Sequence, residues 1–212
     1  MLRKDLTELK LVSCHLGNGC SLAAIQDGQS IDTTMGFTPL EGLMMSTRSG
    51  SVDPGILTFL LREGRTDSRA LDETLNTKSG LLGISGVSGD MREIMAAIKN
   101  GNERAQLAFD MFIHRLQSGI GSMVVALNGV DAIVFTAGIG ENSPEICAAA
   151  WSRFGFLGLA LDFPKNADTR SDQDIAAPES KVRVLVVRAQ EDWAIARACW
   201  KLQSRPIAAS SN

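Results

Sequence analysis

Between Asn102 and Asn128 the apolar residues Phe109, Phe112, Ile113, Leu116, Ile120, Met123, Val124 and Leu127 recur at intervals of three and four, the spacing that lines one face of an α-helix. The pattern predicts a long core helix. His114, between two apolar positions, reads as structural, and Gly119 and Gly121 as points of close packing. A different period governs the first residues. Val12 and Cys14 alternate with Ser13 and His15, and Ser21, Leu22 and Ile25 resume an extended pattern beyond Gly17-Asn18-Gly19, which predicts strand, glycine turn, strand. Asp27-Gly28 marks a second turn and Gln29 to Thr33 a short third strand, so residues 10–33 form a meander. The apolar runs 131–136 and 181–187 complete the strands.

Cap chemistry places the remaining helices. Asp53-Pro54 opens one that runs to Arg62 or Glu63 with Gly64 as its stop, Asp67 opens another through Asn76, and Asp90 opens a third over 91–100. Ser143-Pro144 starts a helix to about Arg153, and Glu191 one that ends at Leu202. Residues 34–54 show no period and little charge, which predicts a long ordered loop of the kind that carries function. Residues 79–90 hold too many glycines for a helix and read as a second loop. Residues 162–180 are polar and read as a surface excursion, and 206–212 as a frayed tail.

Composition narrows the function classes. With 212 residues, a formal charge of −3 and no basic run, the chain can bury a substantial core but has no footprint for nucleic acid. Cys14, Cys20, Cys147 and Cys199 lack metal-ligand spacing, and the two histidines lie far apart, which predicts reduced thiols, no zinc site and a cytoplasmic setting. No apolar run has the length of a membrane span, and Met1-Leu-Arg-Lys-Asp lacks a signal-peptide core. A strand starting by residue 10 with so little chain before it suggests that something upstream is missing.

Two strand ends carry candidate chemistry. In Gly17-Asn18-Gly19 the Asn-Gly pair supplies the positive φ of a tight turn, and the bare α-carbons let a ligand's oxygens approach backbone N–H groups, so the turn is a plain hairpin or a phosphate loop. Thr136-Ala-Gly-Ile-Gly-Glu-Asn142 follows a strand and precedes a helix, an arrangement that suits a nucleotide. Read as a dinucleotide fingerprint it lacks the third glycine, because Ser143 stands there.

Longer motifs surround these ends: His15-Leu-Gly-Asn-Gly19, Thr38-Pro-Leu-Glu-Gly-Leu-Met-Met45, Thr47-Arg-Ser-Gly50 with Asp53-Pro54, Ser85-Gly-Val-Ser88 with Asp90-Met-Arg92, and Phe135 to Asn142. Together, over about residues 9–200, they resemble the acetate kinase family with its propionate and butyrate kinase relatives, in the actin and sugar kinase superfamily. The resemblance implies an α/β, ribonuclease H-like domain with a mixed sheet flanked by helices: residues 1–202 as the C-terminal nucleotide-binding domain, 203–212 as a flexible tail, and the N-terminal domain absent.

It also implies roles. His15, Leu16, Gly17, Asn18 and Gly19 match a phosphate loop, Asp90, Met91 and Arg92 a further nucleotide-contacting segment, and Gly138, Ile139, Gly140, Glu141 and Asn142 an adenosine loop. Arg48 matches the arginine on the transferring phosphoryl group, Pro39 a wall of the carboxylate's alkyl pocket, and Glu191 a carboxylate that helps position Mg2+, although Arg188-Ala-Gln190 departs from the usual wording before it. ATP or ADP, a short-chain carboxylate and a homodimeric partner follow from the family. The family's other phosphate loop, its substrate arginine, catalytic aspartate and second histidine belong to the half not present. The competing expectation is a non-catalytic adenine-nucleotide module or partner subunit.

Overall fold

The structure is a computed structural model that describes residues 1–2, 4–168 and 172–203. A six-stranded mixed sheet forms its centre. The meander appears as β1 (Lys10–Leu16), β2 (Cys20–Gln26) and β3 (Gln29–Thr33), all antiparallel, with Val12, Cys14 and Leu16 of β1 buried beside Cys20, Leu22 and Ala24 of β2. β4 (Ala132–Thr136) and β6 (Arg183–Val186) run parallel to β1, and the two-residue β5 (Gln173–Asp174) closes the order β3-β2-β1-β4-β6-β5. Every residue of β3 is exposed, in keeping with a polar edge strand. The positive φ values of Asp27 and Gly28 supply the primed turn that joins it to β2.

The helical face follows the three- and four-residue period. α1 is Pro54–Arg62, α2 Ser68–Thr77, α3 Gly80–Ser85, α4 Met91–Lys99 and α5 Glu103–Ala126. Phe112, Leu116, Ile120 and Met123 of α5 are buried, and the helix lies against β2 and its neighbours. A Cβ on Gly119 would stand 2.7 Å from Leu22 Cδ1, so this glycine sets the helix-to-sheet distance, while Gly121 has open space before it. His114 is exposed rather than packed in the core. Gln117, buried, donates to Ala149 O at 2.9 Å and ties α5 to α7 (Pro144–Trp151).

Four expectations need correction. Residues 79–90 are not loop throughout, because α3 forms there. Its first amides are satisfied from outside, Leu81 N donating to Met45 O and Leu82 N to Ser46 O, and Gly86 in the left-handed region ends it. The segment after β4 is likewise helical, α6 (Ala137–Asn142), and the left-handed residue is Ala137, φ 68°, rather than a glycine. Residues 162–180 are only partly a surface excursion: α8 (Phe163–Ala167) and β5 sit there, and Ile175, Ala176 and Ala177 are buried. The predicted tail loses its first residue to α9 (Glu191–Gln203), and 204–212 lie outside the described residues.

Two helices stand clear of this body. None of the residues of α1 is buried, and every residue of α9 up to Gln203 is exposed, including Trp193, Ile195 and Trp200. No helix among the described residues is long and apolar enough to cross a membrane.

Candidate nucleotide site

Ligands of open α/β sheets gather at the carboxyl ends of the parallel strands, and here β1, β4 and β6 end together, with His15 paired to Thr136 and Phe135 to Val186. A cleft of about 570 Å³ opens at this edge, lined by the β1–β2 turn (Gly17, Asn18), Ser46, the start of α4 (Gly89 to Arg92) and the α6–α7 corner (Gly138, Ile139, Asn142, Ser143). That volume lies in the range of small-molecule and cofactor sites. Four segments distant in sequence therefore converge on one space.

The β1–β2 turn is held from below. Ser46 N donates to Asn18 O at 3.2 Å and Ser46 Oγ to Asn18 Oδ1 at 3.3 Å, which orients the Asn18 amide group as a donor at the cleft wall. Neither Asn18 nor Gly19 has the expected positive φ; the turn is closed by Gly17 N donating to Gly19 O at 3.0 Å. Gly19 serves close approach instead, since a Cβ there would lie 3.1 Å from Arg48 Nη1. Ser46 itself is fixed by the carbonyl it gives to α3, so a glycine-bearing segment that reads as loop becomes the buttress of the β1–β2 turn.

On the opposite wall Asp90 caps α4, accepting from Arg92 N at 2.9 Å and from the Arg92 guanidinium, Nε at 3.0 Å and Nη2 at 2.5 Å. The Arg92 side-chain and backbone hydrogen bonds hold the Asp90 carboxyl down to about 2. At neutral pH the pair is zwitterionic and shows a ligand both an acceptor carboxylate and a flat cation. Met91, 3 % exposed, lines the cleft beneath it.

The α6 wall differs from expectation in detail. Gly138 faces open space, Ile139 is half-buried, and Asn142 Nδ2 donates back to Gly138 O at 2.8 Å. Gly140 is buried against Phe135 and the Cys14 carbonyl and is not among the residues lining the cleft. Glu141 also turns away: its Oε1 accepts from Ala137 N and Ala189 N, both at 2.9 Å. Leu16 is fully buried, leaving only its backbone for a ligand. Sequence reasoning missed Ser46, Gly89 and Ser143. Gly89 carried a signal, a glycine directly before an N-cap, and the structure gives its reason: a Cβ would approach Ser46 O to 3.0 Å.

Beside the cleft, Arg48 Nη1 donates to Pro39 O at 3.3 Å and lies 3.7 Å from Met45 Sδ, with no ion pair to a described carboxylate. Pro39 is exposed. His15 Nε2 stands 3.7 Å from Glu191 Oε1 at the start of α9. Burial lifts the Cys20 thiol, just beyond the turn, to about 12, so it is an inert part of the core. No group of three His, Cys, Asp or Glu that could hold a metal ion occurs among the described residues.

Comparison with known proteins bears on this geometry. The sequence profile of the Acetokinase family matches residues 1–197. An acetate kinase of Nostoc punctiforme is 63 % identical over 202 residues, 95 % of this chain and 50 % of that protein. The crystal structure of Porphyromonas gingivalis acetate kinase superposes with a TM-score of 0.90 at 44 % identity, over 94 % of this chain and 50 % of that one. A propionate kinase structure from Francisella tularensis follows at 0.83 and 40 %, over 89 % of this chain and 48 % of that one. The chain spans about half the length of the curated relatives it matches.

Proposed function

The chain belongs to the acetokinase family, and from that premise we propose that it is the C-terminal, nucleotide-binding half of an acetate kinase. The parent reaction is reversible transfer of the ATP γ-phosphoryl group to a short-chain carboxylate, giving an acyl phosphate and ADP. The observation that carries this reading is the single cleft that joins Gly17-Asn18, Asp90 to Arg92 and the Gly138 corner at the carboxyl ends of three parallel strands.

Within it, the Asn18 amide and the turn's backbone suit phosphate oxygens, and the Asp90–Arg92 pair with Met91, Gly138, Ile139 and Asn142 suits the adenosine. Arg48 has a planar, permanent charge and no described carboxylate neutralises it, which fits a place on the transferring phosphoryl group, with Pro39 walling the alkyl side. Glu191 offers one exposed carboxylate. That fits Mg2+, which binds through one or two carboxylates and the nucleotide's own phosphates rather than in a protein cage, and which would neutralise phosphoryl charge there. This chain's own contribution to catalysis is positioning and charge, supplied by loop amides and Arg48. A homodimer is proposed from the family alone.

The test is calorimetric titration of the 212-residue chain with ADP, paired with hydroxamate detection of acetyl phosphate. ADP binds and no acetyl phosphate forms, because the other phosphate loop and the catalytic aspartate lie outside this chain. A chain that leaves ADP unbound overturns the nucleotide site. Turnover on the order of 1–100 per second by the chain alone overturns the division of the active site.

A further inference from the structure

Resting on that reading, we propose that Glu141 is a positioning residue: its carboxylate clamps the ends of β4 and β6 together and so sets both the α6 wall of the cleft and the point at which Glu191 enters. The residue lies in a glycine segment whose neighbours face the cleft, yet it does not line that space. One oxygen, Oε1, accepts from Ala137 N and from Ala189 N, each at 2.9 Å.

Both amides need this partner. Thr136, the N-cap of α6, makes no side-chain cap bond, so the first helical N–H is satisfied from within, four residues on. Ala137 is also held at φ 68°, a conformation that alanine rarely takes, and it is there that the chain leaves β4 for the helix. On the other strand the last backbone rung is Val187 N to Phe135 O at 2.8 Å. Two residues later Ala189 donates to the Glu141 carboxylate, which extends the β4–β6 pairing past the end of the ladder.

Two residues beyond that lies Glu191, 3.7 Å from His15 at the end of β1. The clamp therefore joins the ends of β4 and β6, at Ala137 and Ala189, through one carboxylate, and the chain that leaves β6 there brings Glu191 to His15 at the end of β1. A charged acceptor suits this task, because hydrogen bonds to an ionised oxygen are shorter and stronger than neutral ones.

The experiment uses the 212-residue chain and its Glu141→Gln, Glu141→Asp and Glu141→Ala variants. Amide hydrogen exchange is followed by NMR at Ala137, Ala189 and Val187, and ADP affinity by calorimetry with and without Mg2+. In Glu141→Ala, Ala137 and Ala189 exchange faster together while Val187 keeps its protection, and ADP affinity falls about tenfold, the loss of a charge-assisted bond. Glu141→Gln, with an acceptor at the same reach, recovers most of both; Glu141→Asp, one methylene short, does not. If Glu141→Ala does not fold, the contrast between Gln and Asp carries the same decision. Faster exchange at unchanged ADP affinity overturns the positioning role and leaves a local brace. Equal loss of affinity in Gln and Ala at unchanged exchange overturns it in favour of direct ligand contact. A wild-type chain that fails to bind ADP overturns the nucleotide reading itself, and the positioning role with it.

Discussion

β1 and β4 lie side by side, His15 against Thr136, and each runs out of the sheet into a segment with two glycines one residue apart. The first segment stays a turn, closed by Gly17 N to Gly19 O and tied through Ser46 to a loop and helix far along the chain. The second coils at once into α6 and is tied by Glu141 to the next strand. Glycine spacing alone did not decide the outcome. In neither segment does a glycine take the left-handed conformation, which falls to Ala137. At the first end glycine admits a guanidinium, and at the second it opens a wall, Gly138, and packs on the sheet, Gly140. The two ends also differ in what surrounds them: the first adjoins Arg48, a cation without an ion pair among the described residues, and the second faces the Asp90–Arg92 pair across the cleft.

The largest expected effect tests whether the first end is the chemical one. With the chain joined to the N-terminal half of a full-length relative, Arg48→Ala lowers kcat by roughly a thousandfold while the KM for ATP changes little, and Arg48→Lys recovers part of the loss. Steady-state kinetics at two ionic strengths distinguish this from steering. An Arg48 that only draws the nucleotide in would raise KM in a salt-dependent way and spare kcat.

Next in size is a contrast within the second end. A side chain at Gly138 projects into open cleft, so Gly138→Val weakens ADP binding by about tenfold, equivalent to roughly 1.4 kcal/mol, and leaves the melting temperature nearly unchanged. At Gly140 a Cβ already makes ordinary contact with Phe135 and the Cys14 carbonyl at 3.5–3.6 Å, so the further γ-methyls of Gly140→Val have to be packed at a buried position and cost about 1–3 kcal/mol of stability. Calorimetry and thermal melts on both variants read the two quantities separately. The reverse pattern would place the cleft on the wrong face of α6.

A smaller effect concerns the opposite wall. The folded-state pKa of Asp90, about 2, lies below its ordinary 3.8, so its contribution to stability is complete above that ordinary value and is lost as pH falls toward the folded one. Asp90→Asn keeps the oxygen that caps Arg92 N but cannot titrate. Its stability therefore changes less than wild type's as pH falls from about 4 to about 2, measured by denaturant midpoints across that window. Parallel curves would show that the Asp90–Arg92 pair contributes nothing to the folded state.

The elements with strong local signals were legible in the sequence. The 102–128 periodicity became α5, the Asp53, Asp67 and Asp90 caps each accept the amide bond expected of them, and the period-two meander pairs antiparallel, in register between β1 and β2 and with one shift at Ala24/Ile25 between β2 and β3. What was not legible depended on partners far away in the chain. Nothing in Ser79 to Asp90 announces that carbonyls of Met45 and Ser46 will satisfy a short helix, and nothing in Gly-Ile-Gly-Glu-Asn shows that Glu141 will reach Ala189. The cleft followed the same rule. Asn18, Asp90, Met91, Arg92, Gly138, Ile139 and Asn142 were named from motifs, whereas Ser46 reaches the wall through a contact of 28 residues' separation.

The smallest effect returns to the difference between the strand ends. An L-residue in the left-handed region costs about 1–2 kcal/mol relative to glycine in the folded chain. Glycine gives back about 0.5–1 kcal/mol through the greater freedom of the unfolded chain. Ala137→Gly should therefore leave stability unchanged or raise it by up to about 1 kcal/mol, which for a domain of this size moves the melting temperature by roughly 2–4 °C or less. At the first end the expected effect is smaller still. Gly17 has no positive φ and an added Cβ makes only ordinary contact, 3.6 Å from Ala137 Cβ, so Gly17→Ala should change stability by no more than about 0.5 kcal/mol. Those two Cβ atoms would touch each other, and the double variant Gly17→Ala with Ala137→Gly removes that contact, so the departure of the two melting shifts from additivity measures it. A clear loss of stability in Ala137→Gly would mean that the Ala137 Cβ packs against something worth more than its strain, and the two strand ends would then differ in packing rather than in backbone conformation.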